Sequence, residues 1–308
     1  MVQELIIEGT PVAVAQESPF GFLGGVVWYS VRKQVIPHED FEALCDKEGV
    51  PEAYRPTRTR PSDAFKSAVR VLESRDYIVD YETTYDAVGK RTTDSSVMLV
   101  VSRVHDTIAD ALPVRMKVRY TAQGTYLTFD GGTPEMQAQV EAAYELYRNS
   151  YRDEDIRKMV SDAIHGAFAV SLKQSGGVYF ILQQYLPGIE AVARVVDQLP
   201  GCEMVSLPVI DREPERKTLI KQYEKATLER LGQMMVMVKE VVDKGERIVP
   251  STFKRFYDEA QYLLAQRAKY EDFLNIAMGK VEVEMQALDA YLGKLSSLIE
   301  EDKPAKAG

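Results

Sequence analysis

The chain has 308 residues, of which 45% are apolar and 28% are charged, and its net charge is −9 at pH 7. This composition is typical of folded globular domains and supplies enough apolar material for two cores. The acidic balance argues against a protein that coats nucleic acid by charge alone. No apolar run approaches the ~18 residues of a membrane helix, and the N-terminus lacks the basic start of a signal peptide. We therefore expect a cytoplasmic protein that does not use a membrane.

Residues 1–150 have the pattern of an α+β domain built on an antiparallel sheet. Runs rich in β-branched and aromatic residues indicate strands, and two segments with a 3.6-residue apolar period indicate helices. Thr133 and Pro134 have the residue types that start a helix. The predicted elements are strands at 5–7, 12–14 and 22–35, helices at 38–48 and 61–73, and strands at 77–84, 96–105, 114–121 and 125–129.

Residues 151–212 repeat helix, strand, helix and strand on a smaller scale. The apolar period predicts helices at 153–174 and 187–199, and strands at 178–182 and 203–210. Periodicity does not decide whether this segment packs beside the first sheet or forms its own layer. We expect it to pack with the first domain.

Residues 213–302 have the pattern of a long antiparallel helical hairpin resembling a coiled coil. The first arm is predicted at 213–244, and Gly245 and Ser251 mark the break. The second arm keeps apolar residues at alternating spacings of three and four, with one charged layer at Arg267 and Glu271. Its seam consists of Phe253, Tyr257, Ala260, Leu264, Leu274, Met278, Val281, Met285, Leu288, Leu292, Leu295 and Ile299.

The second arm of this hairpin is longer than the first. Beyond Gly279 its seam therefore lacks an intrachain partner, unless the chain bends at this glycine and folds back or docks on the N-terminal module. The charged pair Arg267 and Glu271 either fixes register against a partner or extends to the edge of the seam. The predicted interface residues are Arg267, Glu271, Val281, Met285, Leu288, Leu292, Leu295 and Ile299. Residues 303–308 have no apolar anchor and are expected to form a disordered tail.

A basic strip between residues 55 and 70 is the strongest candidate for binding anions. Prolines on either side favour an extended backbone, which would place Arg58 and Arg60 on the same side. Guanidinium groups bind phosphate oxygens in pairs, so the strip suits phosphate or nucleic acid. The alternative is a linker whose arginines pair with the chain's own carboxylates. The strip consists of Arg55, Arg58, Arg60, Lys66 and Arg70.

Gly176, Gly177 and Tyr179 form a second candidate for phosphate or nucleic-acid binding. Two glycines can present bare backbone amides to an anion, and a tyrosine can stack on a base. The alternative is a helix C-cap followed by a buried strand. The segment lacks the Gly-Lys-Ser/Thr of a phosphate loop.

The sequence holds no recognisable catalytic or metal motif. No histidine or cysteine stands at metal-ligand spacing, and Cys45 and Cys202 lie in apolar stretches that predict buried free thiols. Acidic residues at 80, 82, 86 and 94 flank strands and are more typical of a solvated sheet than of a Mg²⁺ site. We expect no metal and no cofactor, and enzymatic activity stays open, with phosphoester cleavage as one alternative.

Four short stretches together resemble an uncharacterised family of prokaryotic and phage or mobile-element proteins. They are residues 27–31 (VWYSV), 60–65 (RPSDAF), 175–180 (SGGVYF) and 207–211 (LPVID). The resemblance spans roughly residues 25–215. It implies that residues 1–215 are one module to which the helices are attached, and it implies no activity.

Together these patterns predict an α+β fold, with an N-terminal antiparallel-sheet module followed by the helical hairpin. The most economical function is binding and assembly without catalysis. We expect the hairpin to mediate self-association or to dock a protein partner. The alternative is a protein that binds or processes nucleic acid through the basic strip.

Overall fold

The chain folds into antiparallel sheets and long helices, which confirms the α+β class. The computed structural model describes residues 3–7, 10–14, 21–74, 77–82, 95–102, 114–121, 126–173, 176–245 and 248–299. The strands there are β1 (Gln3–Ile7), β2 (Thr10–Val14), β3 (Phe22–Ser30), β4 (Val35–Pro37), β5 (Tyr77–Glu82), β6 (Ser95–Ser102), β7 (Val114–Thr121), β8 (Tyr126–Gly131), β9 (Ser150–Arg152), β10 (Val170–Ser171), β11 (Val178–Leu182) and β12 (Glu203–Ile210). The helices there are α1 (His38–Glu48), α2 (Pro61–Val69), α3 (Pro134–Arg148), α4 (Asp153–Gly166), α5 (Leu186–Asp197), α6 (Glu213–Lys244), α7 (Pro250–Leu274) and α8 (Gly279–Ser296).

Two four-stranded sheets organise the described strands. The first runs in the order β5-β6-β7-β8 and joins neighbours along the chain, as the sequence predicts. The second runs β10-β11-β3-β12, and its pairings are all antiparallel. The strands of the middle segment therefore flank β3 in one sheet and form no separate layer. The pairs β1-β2 and β4-β9 are also antiparallel.

The residues fall into two compact units. The first unit contains Met1–Ser30, Ala163–Ala193 and Glu203–Gly308. The second contains Val31–Asp162 and Arg194–Cys202. Neither unit is continuous along the chain. The domain boundaries expected near residues 150 and 212 stay a prediction.

In the second unit, helices α2 and α3 cover the sheet β5-β6-β7-β8. Phe65 of α2 stacks on Tyr120 of β7 with ring centroids 5.7 Å apart. The buried side chains Val118 and Val140 belong to the same apolar core. Helix α3 starts where the sequence predicts, because the Thr133 hydroxyl accepts the backbone N–H of Met136 at 3.3 Å.

In the first unit, α6, α7 and α8 pack together and against the sheet β10-β11-β3-β12. Tyr223 of α6 stacks on Tyr270 of α7 at a centroid distance of 4.6 Å, and both side chains are fully buried. The Tyr270 hydroxyl donates to the carbonyl of Phe180 on β11 at 3.4 Å. These contacts join two helices and a strand in one apolar core.

The second arm of the predicted hairpin is broken. Helix α7 ends at Leu274, and Asn275 takes a left-handed backbone conformation with φ +52°. Gly279, which was expected to be the bend, is instead the first residue of α8. Helix α8 contacts both α6 and α7. Of the two alternatives left open for the seam beyond Gly279, the structure therefore shows the one in which the chain folds back and buries it, with the bend a few residues before the glycine.

The helix predicted at 153–174 is also shorter than expected. Helix α4 ends at Gly166, Phe168 has a positive φ of 52°, and Val170–Ser171 is a strand. The left-handed residue after the helix is Phe168, a residue type that gives no stop signal in the sequence. Both cysteines are free; Cys45 is buried as expected, and Cys202 is half-buried.

Among the described residues, no helix combines the length and the apolar character needed to cross a bilayer.

Candidate functional site

The basic strip begins between α1 and α2 in the second unit and continues along α2, which contains Lys66 and is followed by Arg70. Its backbone is extended as predicted at Arg55 and Arg60. Arg55 is turned back onto its own unit. Its Nε donates to the carbonyl of Val50 at 3.0 Å, and its guanidinium forms an ion pair with Asp46. This arginine is therefore held by local groups.

Arg58 forms a two-point ion pair with Glu42 of α1. Its Nε and Nη2 donate to the two carboxylate oxygens at 2.8 and 2.7 Å. The Tyr151 hydroxyl donates to Oε1 of the same carboxylate at 3.0 Å. The hydrogen bonds from Arg58 lower the pKa of Glu42 to about 2, burial opposes this shift, and the Tyr151 hydroxyl adds to it. Glu42 is thus charged at neutral pH and satisfies Arg58.

The other cations of the strip differ from Arg58 in their pairing. Lys66 pairs with Asp63 one turn earlier on α2 at 3.2 Å. Arg60 and Arg70 are exposed, and neither forms an ion pair with the described residues. The observed pairings match the alternative in which arginines neutralise the chain's own carboxylates. Binding of nucleic acid or phosphate here stays a prediction that now depends on Arg60 and Arg70.

A cleft of about 610 Å³ opens beside the Glu42–Arg58 pair. Phe41, Cys45 and the buried Tyr151 form part of its wall. Burial raises the pKa of the Cys45 thiol to about 11, so the thiol is protonated at neutral pH. Burial and the hydrogen bond to Glu42 raise the pKa of Tyr151 to about 12. The cleft wall therefore presents no activated thiolate or phenolate.

His38 packs on Tyr151 with ring centroids 4.4 Å apart. Burial is the main cause that lowers the pKa of His38, and the charge of Arg58 acts in the same direction. The imidazole is therefore neutral in the folded chain at neutral pH. Its Nε2 is buried without a hydrogen-bond partner among the described residues. These contacts join α1, the basic strip and β9. The cluster formed by His38, Glu42, Arg58 and Tyr151 is called the lock below.

The strength of this lock is testable by its pH dependence. Because the folded pKa of Glu42 lies near 2 and its ordinary value is 4.5, its contribution is complete above pH 4.5 and is lost as the pH falls towards 2. We expect Glu42→Gln to lower the free energy of unfolding by about 1 kcal/mol at pH 7, since solvent screens this partly exposed pair. At pH 3 the difference should be smaller. Urea unfolding at both pH values measures it.

Glu52→Gln is the matched control, since Glu52 lines the same cleft and is exposed. This change should have little effect at either pH. A Glu42→Gln effect that does not shrink at low pH would show that the ion pair is not its cause.

The glycine pair forms a hairpin turn between β10 and β11. Gly176 and Gly177 have φ values of +72° and +85°, which suit glycine. The N–H of Gly176 already donates to the carbonyl of Lys173 at 2.8 Å, and Tyr179 lies in the β11 ladder opposite Val27. The helix C-cap expected here is wrong, because α4 ends earlier. The amide of Gly176 is committed within the turn, and phosphate binding here stays a prediction.

The predicted interface seam lies inside the first unit. Val281, Met285, Leu288, Leu292 and Leu295 are buried in its core, and Ile299 is half-buried. These side chains are therefore covered by the chain's own helices. A role for them in contacts with another molecule stays a prediction that would require α8 to move.

The charged layer fastens the turn between α7 and α8. The Nε of Arg267 donates to Oε1 of Glu271 at 3.0 Å, and Nη2 lies 3.2 Å from Glu282 of α8. The same Oε1 accepts the backbone N–H of Met278 at 2.7 Å. Burial is the largest influence on the pKa of Glu271 and would raise it, but these hydrogen bonds together lower it. The pair thus sets register within the chain.

The heptad assignment is wrong for two positions of α7. Tyr257 is 46% exposed and Leu264 is 42% exposed, whereas their neighbours Phe256 and Leu263 are buried. The core of α7 is displaced by one residue from the predicted seam. Tyr257 and Leu264, which the heptad pattern predicts as core residues, therefore lie on the surface.

The sequence pattern did not identify Glu42 and Tyr151 as residues of the lock. Glu42 and Tyr151 are 109 residues apart, so their contact left no local pattern. The available signal was the excess of carboxylates around the strip. Among the described residues, no group of three or more His, Cys, Asp and Glu side chains is placed to hold a metal ion. Residues 86 and 94, considered for Mg²⁺, lie outside that part.

These features define an α+β protein in which a three-helix bundle completes one of two compact units, and whose described clusters of charged side chains are internally paired. The chain belongs to a family of unknown function, DUF6744, whose model matches residues 22–301. The expectation that the chain belongs to an uncharacterised family is thus confirmed. The matched segment includes the helices, so they belong to the family's common region and are not attached to it. No curated protein matches the chain. No solved structure matches it either.

Proposed function

We propose that the chain is a cytoplasmic binding protein without catalytic activity that self-associates through an apolar stripe on α7. The stripe consists of the exposed Tyr257, Leu264 and Ala268 together with Phe253, which is half-buried against the core. The exposure of Tyr257 and Leu264 is the observation that carries the proposal. At about 100° per residue, these four positions fall within about 60° of the helix circumference. An apolar stripe on a solvent-facing edge of a helix is typical of a surface that receives another helix.

A second copy of the chain fits this stripe by its order of side chains. In an antiparallel twofold pairing centred beside Gln261, Tyr257 of one copy would lie opposite Leu264 of the other. Phe253 would then lie opposite Ala268, which places a large side chain against a small one at each end. A twofold interface must be complementary to itself, and this sequence of large and small residues meets that condition.

The charges beside the stripe are compatible with such pairing. Lys254 and Asp258 form an ion pair one turn apart on α7 at 2.7 Å. Their charges cancel locally, so two copies would meet without a net like-charge contact at this point. Since four side chains per copy form a small interface, we expect a reversible dimer that dissociates on dilution.

Leu264→Glu is expected to abolish self-association of the full chain. Each dimer would lose two leucine contacts worth about 1.5–3 kcal/mol each, so its dissociation constant should rise at least about 100-fold. Sedimentation velocity over a range of concentrations measures this change. Circular dichroism establishes that the variant is folded.

Val283→Glu is the matched control, because Val283 is 64% exposed on α8 and lies outside the stripe. This variant should associate like the wild-type chain. The proposal is wrong if the wild-type chain is monomeric at its highest soluble concentration. It is equally wrong if both variants dissociate to the same extent.

We further propose that the chain acts in a phage or another mobile element. A small protein that pairs through one helix suits an assembly role, and the internal pairing of Arg55 and Arg58 makes that role a better candidate than nucleic-acid binding.

A further inference from the structure

A groove in the first unit runs along α6 and has two parts of different character. The first part, of about 380 Å³, lies against the sheet β10-β11-β3-β12 and has a mainly apolar wall. The second part, of about 220 Å³, lies beside the start of the β10–β11 turn, and its wall carries charged and amide side chains. Leu172 and Gln222 belong to both walls, so the two parts adjoin. A single small molecule can therefore contact both.

The first part presents accessible apolar surface. Val26 on β3 pairs in register with Phe180 on β11 and with Leu207 on β12, so the three side chains share a face of the sheet. Val209 lies two residues further along β12 on the same face. Phe180 is buried, but Val26 and Val209 are half-buried and Leu207 is 52% exposed. An alkyl chain that covers this surface is stabilised by the apolar area it removes from water.

The second part carries an excess of positive charge, although the whole chain has a net charge of −9. Among the described residues, its wall includes the cations Lys173, Lys225 and Arg230 and the carboxylate Glu229. Arg230 is already held in an ion pair with Glu259. The two lysines form no ion pair with the described residues, and both are exposed. Their ammonium groups are therefore within reach of a ligand in the groove.

The two lysines have defined positions relative to the apolar part. The carbonyl of Lys173 accepts the Ser171 hydroxyl at 2.7 Å and the N–H of Gly176 at 2.8 Å, so the turn fixes this residue. Lys225 follows Leu219, which lines the apolar part, by six residues of α6. At 1.5 Å per residue this separation is about 9 Å, the length of a medium alkyl chain.

We propose that this groove binds small amphipathic anions, in which an alkyl chain of medium length carries a carboxylate. The chain lies on Val26, Leu172 and Val209, and the carboxylate accepts hydrogen bonds from the ammonium groups of Lys173 and Lys225. Charge-assisted hydrogen bonds of this kind are stronger than those between neutral groups. The site is distinct from the α7 stripe, and its test does not depend on self-association.

Octanoate and octanol form a matched pair of probes, because they share the alkyl chain and differ in the charge of the head group. A groove that was only apolar would favour the alcohol, since a carboxylate costs more to remove from water. We expect the full chain to bind octanoate about fivefold more tightly than octanol at neutral pH. Butanoate should bind at least about tenfold more weakly than octanoate, because it loses contacts with the apolar part. Isothermal titration calorimetry and ligand-observed NMR measure these affinities.

Lys173→Gln combined with Lys225→Gln should remove the preference for octanoate and leave octanol binding unchanged. The matched control combines Lys217→Gln with Lys221→Gln, which changes the net charge by the same amount. Both control residues are exposed on α6 and lie outside the groove wall. The control variant should keep the preference. Circular dichroism establishes that both variants are folded.

The proposal is overturned if the wild-type chain binds octanoate no more tightly than octanol or shows no saturable binding. It is also overturned if the variant at Lys173 and Lys225 retains the preference. Equal affinities for butanoate and octanoate would overturn it as well, since the anion alone would then account for the binding.

Discussion

Gly24→Ala is expected to lower the free energy of unfolding of the first unit by about 3 kcal/mol or more. A Cβ atom at this position would lie 1.9 Å from the carbonyl oxygen of Ile181 and 2.9 Å from the ring of Phe180. Gly24 pairs with Leu182 at the end of the β3–β11 ladder. Because the nearest atom belongs to the backbone, relief of the clash requires the two strands to separate.

Urea unfolding followed by Trp28 fluorescence measures this effect, since Trp28 belongs to the same strand. Gly21→Ala is the control, because a Cβ there would meet nothing within 4 Å. That substitution should change stability by less than about 0.5 kcal/mol. Equal stability of the two variants would mean that β3 and β11 are not in this register.

Tyr270→Ala is expected to destabilise the first unit by about 3–5 kcal/mol, because it removes a fully buried aromatic ring. The ring stacks on Tyr223 and its hydroxyl reaches the carbonyl of Phe180, so the change leaves a cavity between α6, α7 and β11. Burial raises the pKa of Tyr270 well above 10, so the hydroxyl is a donor throughout the accessible pH range.

Tyr270→Phe separates the contributions of the ring and the hydroxyl. It keeps the stack and removes one hydrogen bond, so we expect a loss of only about 1 kcal/mol. Chemical unfolding of both variants gives the comparison. If Tyr270→Ala costs no more than Tyr270→Phe, the ring does not organise this core.

Local features of the fold followed from the sequence. The bounds 38–48 and 213–244 are those of α1 and α6, because a proline precedes or starts each helix and a glycine follows it. The strands β5 to β8 appear near their predicted positions, since each is a short run rich in β-branched and aromatic residues next to its partner in the chain. Structure formed by residues close in sequence could therefore be predicted from residue types and from the spacing of apolar residues.

Pairing between distant segments was not predictable. β3 has an apolar pattern that fits any sheet, and nothing in it selects β11 and β12 as partners. The break before α8 was misplaced because Asn275 tolerates a left-handed backbone almost as glycine does. Because the helix ends there, α7 packs separately from α8. It buries Phe256, Leu263 and Tyr270, so the predicted heptad register does not hold along it.

The candidate site shows the same limit. Arg58 was identified correctly as a notable cation, but its role depends on Glu42, which lies 16 residues away, and on Tyr151 in another element. The charge of an arginine can be read from the sequence, whereas the carboxylate that pairs with it is known only from the fold. The sequence therefore indicated which groups were important and left their partners open.

The discontinuity of the two units has a consequence for biosynthesis. Residues 22–30 form the second-to-last strand in the order β10-β11-β3-β12, yet their partners are residues 178–182 and 203–210. A ribosome delivers most of the second unit before either partner emerges, so β3 must remain without its sheet while that unit forms. Sheets closed by such distant contacts form slowly, and an apolar strand that waits unpaired is a natural substrate for a chaperone.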